Sequence, residues 1–247
     1  MKTTKNTVLI TGGSAGIGLS IAKAFVAKGN EVIITGRDEE RLGDAAATLG
    51  GKVTTIVGDV SKPEDVDRLV ARVQKDFPHL NILINNAGKA DLYDKELQRG
   101  AEQASAEMLV NYVSVIGLTE RLLPLLRQQP EAAVVNVTSV LALVPSIAVT
   151  TYSATKAALR SYTQALRLLL QKTSVKVFEL LPPLVNTELS KGIGGEKGIS
   201  PDVVADQLLD SLAKDVFEVR VGQTEDIYRL HLASPEQALL AINGARL

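Results

Sequence analysis

Short apolar runs alternate with amphipathic stretches along the whole of this 247-residue chain. Runs rich in Val, Ile and Thr without polar alternation are typical of strands buried on both faces of a sheet. Such runs predict strands at residues 7–11, 31–35, 52–57, 82–85, 133–138 and 175–181, with 217–221 as a candidate seventh. The stretches between them predict helices over about 17–29, 39–49, 64–76, 101–127 and 152–171, another from residue 200, and two short segments within 222–247. This alternation predicts an α/β fold, a doubly wound parallel β-sheet flanked by helices on both faces, in a single domain over residues 1–247.

Composition and charge narrow the function classes. Lys and Arg number 27 against 28 Asp and Glu, so the chain lacks the basic surplus of a nucleic-acid-binding or membrane-surface protein. Without Cys there is no thiolate chemistry and no disulfide, and two His residues do not favour a metal site. No apolar run matches a signal-peptide core or a membrane span. We therefore expect a cytoplasmic protein with no bound metal and no nucleic-acid or membrane partner.

Glycines cluster where the first predicted strand meets the first helix. Residues 11–18 read TGGSAGIG, a turn through which a pyrophosphate can approach amides at a helix N-terminus. No glycine follows Gly18 at the G-x-G-x-x-G spacing, so a turn without a ligand is one alternative. Another is a serine hydrolase, because the same residues contain G-x-S-x-G with Ser14 as nucleophile and His231 downstream. The position after the first strand, without room for an oxyanion-hole loop, argues against the hydrolase.

The end of the second predicted strand bears on the choice of dinucleotide. Gly36 ends this strand and Arg37 follows it. An arginine here pairs with the 2′-phosphate of NADP, whereas a carboxylate accepts the ribose hydroxyls of NAD. Asp38 and the two acids after it fit the first turn of a helix, where the helix dipole favours acids. The sequence thus predicts NADP(H) in preference to NAD(H), with an inward-turned Asp38 and NAD as the alternative.

A tyrosine–lysine pair is the candidate for proton transfer. Lys156 lies four residues after Tyr152, a spacing that puts both side chains on one helical face. A free tyrosine has a pKa of ~10, and a neighbouring ammonium lowers that pKa toward neutrality. Ser139 follows the fifth strand at the edge where open α/β sheets bind ligands, and its hydroxyl could donate to a substrate oxygen. The alternative for the pair is a surface tyrosine packed along a lysine stem.

Five elements together closely resemble the classical short-chain dehydrogenase/reductases: TGGSAGIG at 11–18, NNAG at 85–88, Asn111, Ser139 and the Tyr152–Lys156 pair. They occur in the family's order and spacing between about residues 5 and 190. The resemblance implies a Rossmann-type fold and an NADP-dependent oxidoreductase. Such an enzyme transfers a hydride between the nicotinamide and a small carbonyl or alcohol substrate.

Site roles follow from the resemblance, position by position. It implies that Tyr152 is the general acid/base, that Ser139 polarises the carbonyl, and that Lys156 binds the nicotinamide ribose and lowers the tyrosine's pKa. Asn111 would hold a water that links Lys156 to solvent. The implied cofactor contacts are the pyrophosphate turn (Gly12, Gly16, Ile17, Gly18), the 2′-phosphate (Ser14, Arg37), the adenine (Asp59, Val60), the adenosine ribose (Asn86, Ala87, Gly88), the nicotinamide ribose (Tyr152, Lys156) and the carboxamide (Val185, Thr187).

The chain departs from the family toward its C-terminus. Pro182-Pro183 replaces the usual proline–glycine, which predicts a different local path near the nicotinamide because proline fixes φ. Residues 189–199, rich in glycine, correspond to the family's flexible substrate cover and are named the lid segment. Residues 222–247 form a C-terminal extension. Together with the double proline, residues 217–230 resemble a bacterial, poorly characterised, NADP-preferring subgroup.

Assembly and turnover are the last expectations. In relatives the helices matching 101–127 and 152–171 form a four-helix interface, which implies a homodimer, with a homotetramer as the alternative. Candidate apolar surface comes from Leu122, Leu125, Leu126, Leu166, Leu169 and Leu170, of which some must face the sheet. A different class of function is an NADP-binding sensor or scaffold with little turnover. The serine–tyrosine–lysine set favours the enzyme, because a pure binding role does not need a tuned phenol.

Overall fold

A single sheet organises the protein. The computed structural model describes residues 1–93 and 99–244, and within them the strands are β1 Thr7–Thr11, β2 Glu31–Gly36, β3 Val53–Val57, β4 Leu80–Asn85, β5 Ala132–Val137, β6 Val175–Leu181 and β7 Glu218–Arg220. These seven strands of the described residues lie in the order β3-β2-β1-β4-β5-β6-β7, and all neighbouring pairs are parallel. The predicted doubly wound α/β fold is confirmed.

Helices cover both faces of this sheet. They are α1 Gly16–Ala27, α2 Glu39–Leu49, α3 Pro63–Asp76, α4 Gly100–Met108, α5 Ser114–Arg127, α6 Thr150–Leu170, α7 Pro201–Ala213, α8 Thr224–Ala233 and α9 Pro235–Asn243. The single helix predicted over 101–127 is wrong in one respect, because a π turn at Leu109–Val113 separates α4 from α5. Such turns insert one extra residue and often mark functional sites.

Two apolar cores explain why the strands lack polar alternation. On one face Phe25 of α1 and Phe178 of β6 are fully buried. On the other face Leu69 of α3 and Leu122 of α5 are buried against the sheet. Burying each such side chain contributes about 1.5–3 kcal/mol. Every residue of β1 is buried, as expected of a strand covered from both sides.

The leucines expected at a dimer surface divide between core and solvent. The second core contains Leu122, Leu125, Leu126, Leu166 and Leu170. Leu169 is 76% exposed, and Leu168, next to it in the sequence, is 67% exposed. The continuous stretch Gly100–Arg127 is long and apolar enough to cross a membrane by length and composition alone. Leu118, Leu122, Leu125 and Leu126 of this stretch are buried in the second core, as in the core helix of a globular protein.

The strand order places a crevice at the carboxyl ends of β1 and β4. β1 is followed along the chain by β2 on one side, while β4, which comes later, pairs with β1 on the other side. The direction of winding therefore changes between β1 and β4. In open α/β sheets ligands bind at such a switch point.

The C-terminal helices lie against the loop that follows β5. The Asn243 side chain at the end of α9 accepts a hydrogen bond from the Ile147 amide at 2.8 Å and donates one to the Pro145 carbonyl at 3.0 Å.

The lid segment contains 3₁₀ turns at Glu188–Ile193 and Gly195–Lys197. Its far end is fixed by the pairing of Val185 with Ile199.

Candidate active site

The glycine turn brings α1 unusually close to the end of β1. Gly16 has a φ of +52°, a conformation that favours glycine. A Cβ atom on Gly18 would lie 2.3 Å from the Gly12 carbonyl oxygen and 2.4 Å from Asn86 Nδ2. The Gly12 amide donates to the Thr35 carbonyl at 2.8 Å, which ties the turn to β2. The turn therefore exposes main chain at the helix N-terminus, as a pyrophosphate site requires.

A cavity of about 540 Å³ extends from this turn along the carboxyl ends of the strands. Thirteen of the fifteen predicted cofactor residues line it: Gly12, Ser14, Gly16, Ile17, Arg37, Asp59, Val60, Asn86, Ala87, Gly88, Tyr152, Lys156 and Thr187. The other two, Gly18 and Val185, are buried beneath its wall. Within the described part of the chain His231 is not among the lining residues, so the geometry gives the Ser14 hydrolase alternative no histidine partner there.

One end of the cavity carries the groups expected to choose between dinucleotides. Arg37 is exposed at its rim, and Ser14 lies beside it in the lining. Asp38 is the N-cap of α2, and its carboxylate accepts a hydrogen bond from the Arg41 amide at 3.0 Å. That carboxylate is thus engaged in capping, as the sequence predicted. Arg41 also lines the cavity, which the sequence analysis missed although α2 carries Arg41 one helical turn after Arg37.

Asp59 lies at the predicted adenine position, after β3. Its carboxylate accepts hydrogen bonds from the Ser61 amide at 2.9 Å and the Ser61 hydroxyl at 2.7 Å. Its own amide donates to the Asp65 carboxylate at 2.8 Å, and this bond, with Arg68 nearby, holds the pKa of Asp65 below its ordinary value. The loop is therefore fixed before any ligand binds.

Buried amides join the strand ends beneath the cavity. Asn85 donates to Asn136 Oδ1 at 2.8 Å and to the Thr119 hydroxyl of α5 at 3.1 Å. Asn136 in turn donates to the Thr163 hydroxyl of α6 at 2.9 Å. Asn86 donates to the carbonyls of Thr11 and Gly12, at 2.9 and 3.1 Å. Asn136 and Thr163 carry no sequence signal of their own, since each reads as an isolated polar residue within a buried element.

Asn111 is held by protein partners on both sides of its amide. It lies in the π turn, is fully buried, and does not line the cavity. Its Oδ1 accepts from the Lys89 amide at 2.8 Å, while Nδ2 donates to the Lys89 carbonyl at 2.8 Å and the Thr155 hydroxyl at 2.9 Å. Both amide hydrogens are thus used. The predicted role as a water holder is left with one lone pair of Oδ1 or with the main chain of the π turn.

Tyr152 and Lys156 lie at the inner end of the cavity. Lys156 Nζ donates to the Val137 carbonyl at 2.8 Å and lies 5.5 Å from the centre of the Tyr152 ring. Burial lowers the pKa of Lys156 to about 8. Burial also raises the pKa of Tyr152, the Ser139 hydroxyl partly offsets that rise, and the charge of Glu107 adds to it. Lys156 is not among the groups that shift the pKa of Tyr152 here, so the expectation that it lowers this pKa stays a prediction.

Ser139 lies two residues after the end of β5, at the start of a 3₁₀ turn. Its hydroxyl oxygen accepts from the Leu141 amide at 3.1 Å and caps that turn. The same hydroxyl lies within hydrogen-bonding reach of the Tyr152 hydroxyl and lowers its pKa, while Ser139 itself is not among the described residues that line the cavity. Behind Ser139, Thr138 donates to buried Glu179 at 2.9 Å, and Arg160 of α6 donates to the same carboxylate at 2.5 Å. Burial is the main cause that raises the pKa of Glu179, against the pull of Arg160.

Glu107 is a functional candidate that the sequence did not indicate. It is fully buried in α4, one turn before Asn111, and its Oε1 accepts from the Asp91 amide at 2.8 Å. Among the described residues its Oε2 has no hydrogen-bond partner. A buried carboxylate with one oxygen lacking a partner among the described residues is costly, and such groups tend to occur at functional sites.

The double proline leaves the main chain regular. The Pro182 carbonyl accepts from the Val140 amide at 2.9 Å, and the Leu184 carbonyl accepts from the Ile199 amide at 3.0 Å. Pro182 lines the cavity, as does Thr187, whose side chain forms a reciprocal capping pair with Ser190. Pro183, at the position of the family's usual glycine, thus lies between the hydrogen-bonded carbonyls of Pro182 and Leu184.

A glycine turn at a switch point of a doubly wound parallel sheet defines a Rossmann-type nucleotide-binding protein. Comparison with known proteins gives the particular family. A family model described as short chain dehydrogenase matches residues 6–198, and the chain belongs to that family of oxidoreductases. The predicted resemblance is confirmed.

Relatives and solved structures agree with this assignment. "Uncharacterized oxidoreductase DltE" of Bacillus subtilis is 40% identical over 92% of each chain. A short chain dehydrogenase from Burkholderia cenocepacia in complex with NADP is 29% identical over 98% of each chain, with a TM-score of 0.86. One from Sphingobium yanoikuyae in complex with NADPH is 29% identical over 98% of this chain and 96% of that chain, with a TM-score of 0.81. One from Burkholderia phymatum in complex with NAD, at 21% identity and a TM-score of 0.89 over 100% and 99%, shares the fold.

Proposed function

We propose that the protein is an NADP(H)-dependent oxidoreductase acting on a small carbonyl or alcohol, with Tyr152 as general acid/base. One observation carries the proposal. A single cavity connects the Ser14 and Arg37 end with the Tyr152 and Lys156 end. A dinucleotide carries its adenosine phosphate at one end and its nicotinamide at the other. The two groups of residues lie at opposite ends of the same cavity, as the two ends of such a ligand require. The two solved relatives at 29% identity that hold NADP or NADPH support the same preference.

The lining residues fit the cofactor chemically. Exposed Gly88 and the main chain of Gly16, which Thr187 approaches from the other side of the cavity, offer backbone surface to ribose and pyrophosphate. Arg37 offers a guanidinium suited to bidentate phosphate recognition, and the Asp38 carboxylate is committed to its helix cap. Thr187, which the family resemblance assigns to the carboxamide, lines the same cavity. The bound cofactor supplies or accepts the hydride at the inner end.

Proton transfer is the task of the chain's own residues. With its pKa raised, Tyr152 is protonated near neutrality and can donate to a carbonyl oxygen that becomes an alkoxide. The Ser139 hydroxyl, which neighbours the Tyr152 hydroxyl, would donate to the same oxygen when a substrate is bound. Lys156, with a pKa of about 8, exchanges protons at ordinary pH and so suits reprotonation of the tyrosine. In this arrangement Tyr152 is poised as an acid, which favours carbonyl reduction.

We also propose a homodimer formed through α5 and α6. Leu168 and Leu169 at the end of α6 are exposed side by side, and Val113 just before α5 is 49% exposed. Exposed leucines that are adjacent on a helix favour an interface with a second copy over free solvent. Size-exclusion chromatography with light scattering of Leu169→Glu against the wild type tests this, since the substitution should yield monomers.

Calorimetric titration with NADPH and NADH tests the cofactor, and Tyr152→Phe tests the chemistry. We expect NADPH to bind at least tenfold tighter than NADH, about 1.4 kcal/mol. Tyr152→Phe should bind NADPH normally yet lose almost all NADPH consumption in a screen of small carbonyl compounds. A sensor would bind NADPH with no such Tyr152-dependent turnover. Ester cleavage without nicotinamide that is lost in Ser14→Ala would instead establish the hydrolase.

A further inference from the structure

An ion pair crosses the outer end of the cavity. Arg41 Nη2 lies 2.7 Å from Glu188 Oε2, although 147 residues separate the two along the chain. Arg41 belongs to the first turn of α2, and Glu188 directly precedes the lid segment. Both residues line the cavity, together with Ser14 and Arg37. The pair therefore connects the predicted 2′-phosphate end of the cavity to the segment that covers the substrate.

The Arg41–Glu188 ion pair is weak enough for Arg41 to leave Glu188 for a phosphate. The side chains of Arg41 and Glu188 are 48% and 71% exposed, and such surface pairs contribute about 0–1 kcal/mol. A phosphate dianion offers Arg41 more charge than one carboxylate and accepts two parallel hydrogen bonds from a guanidinium. The main chain of Arg41 stays fixed during such an exchange, because its amide is bonded to the Asp38 cap.

The lid segment can respond to the loss of this contact without moving its base. Asn186 donates to the Ile199 carbonyl at 2.8 Å, which closes the loop at its two ends. Thr187 packs on the glycine turn, where a Cβ atom on Gly16 would lie 3.1 Å from Thr187 Cγ2. Glu188 is the next residue, and its bond to Arg41 holds the 3₁₀ turn that follows to α2. Breaking that bond removes the tie between Glu188 and α2, while Ser190 still donates to the Val185 and Thr187 carbonyls at 2.5 and 3.0 Å and keeps the base of the segment in place.

We propose that Arg41 is a specificity-determining residue for the cofactor's 2′-phosphate, and that it passes from Glu188 to that phosphate when NADP(H) binds. The lid segment is thereby freed from α2 by the phosphorylated cofactor, while NAD(H) leaves the ion pair intact. This inference rests on the proposed NADP(H) preference. It adds that the chain reads the 2′-phosphate with two arginines, and that the second one reports it to the substrate cover.

Calorimetry with 2′,5′-ADP and 5′-AMP on the full-length protein tests the recognition step, because the two probes differ in the 2′-phosphate alone. Arg41→Gln should weaken 2′,5′-ADP binding ~10-fold, as for a lost charge-assisted pair, and leave 5′-AMP unchanged. Glu188→Gln should tighten 2′,5′-ADP ~3-fold by removing the competing carboxylate, and should have no effect once Arg41 is Gln. Arg72→Gln is the matched control, since Arg72 forms an exposed ion pair with Asp76 in α3, away from the cavity.

Hydrogen exchange of residues 188–197 tests the release step. In the wild type 2′,5′-ADP should speed exchange in this segment, and 5′-AMP should not. Both Glu188→Gln and Arg41→Gln remove the ion pair. In each variant the segment should therefore exchange fast without any nucleotide, and 2′,5′-ADP should not change its rate of exchange. Equal effects of Arg41→Gln on both probes, or a lid segment whose exchange ignores the 2′-phosphate, would overturn the inference. If the wild type prefers NADPH but Arg41→Gln binds 2′,5′-ADP normally, the role given to Arg41 is refuted and the cofactor preference stands. If the wild type binds NADH as well as NADPH, the proposed cofactor preference itself is refuted.

Discussion

Lys156 should make the unfolding free energy depend on pH above neutrality. The residue is 3% exposed, and burial lowers its pKa from an ordinary 10.5 to about 8. In the unfolded chain the lysine regains its ordinary pKa. Between about pH 8 and pH 10.5 the unfolded state therefore binds more protons than the folded state.

The sign and size follow from this difference in proton binding. Because the unfolded state holds the extra proton, a rise in pH stabilises the folded state across the window. Integrating both titration curves from about pH 7 to about pH 9.5 gives roughly 1.4 pKa units, or roughly 2 kcal/mol of unfolding free energy. The gain reflects removal of the desolvation cost of the buried ammonium as Lys156 becomes neutral.

Urea unfolding of wild type and Lys156→Met without cofactor isolates this contribution. Other groups titrate alike in both proteins, so the difference in unfolding free energy, wild type minus variant, should rise by roughly 2 kcal/mol from about pH 7 to about pH 9.5. Lys23→Met is the control, because Lys23 is 71% exposed on α1, and the corresponding difference should stay constant. A Lys156 difference that is flat with pH would refute the argument that burial disfavours its charged form.

Three further predictions concern the cofactor, the tyrosine and the glycine turn. Arg37→Asp should shift preference from NADPH toward NADH by at least tenfold, about 1.4 kcal/mol, in calorimetry; an unchanged ratio contradicts its role. Glu107→Gln removes a charge that raises the pKa of Tyr152, so tyrosinate absorbance, measured against a Tyr152→Phe blank, should appear at lower pH. Gly18→Ala forces a Cβ atom to 2.3 Å from a carbonyl oxygen and should cost about 1–3 kcal/mol. Gly43→Ala, with open space around it, should instead gain about 0.5–1 kcal/mol, and equal unfolding midpoints would contradict both glycine predictions.

The fold could be predicted because the sequences of its strands reflect their burial in the sheet. β1 and β5 are buried on both faces, so their sequences are continuous apolar runs that few other structures accommodate. The π turn at Leu109–Val113 had no such signal. Its residues are compatible with an ordinary helix, and the extra residue is accommodated through Asn111, whose partners come from Lys89 and Thr155, distant in sequence.

Site residues divide in the same way. Gly16, Ser14 and Tyr152 could be located because the local motif and the helix spacing are themselves the functional geometry. Arg41 and Glu107 could not, because the partner of each is brought near by tertiary structure. The rise in the pKa of Tyr152 could not be predicted for a related reason. A sequence shows the lysine four residues away, but not how much protein surrounds the phenol.

Buried amides couple the two halves of the candidate site. Asn86 holds the glycine turn through the Gly12 carbonyl, and its neighbour Asn85 binds Asn136 on β5. Asn136 continues the chain to Thr163 on α6, two helical turns beyond Lys156. Each bond contributes only about 1 kcal/mol net, yet leaving any of these groups unpaired would cost about 1–3 kcal/mol. The network therefore fixes α6, which carries Tyr152 and Lys156, relative to the glycine turn, and the proposed proton donor and hydride donor would need such a fixed separation to act on one substrate.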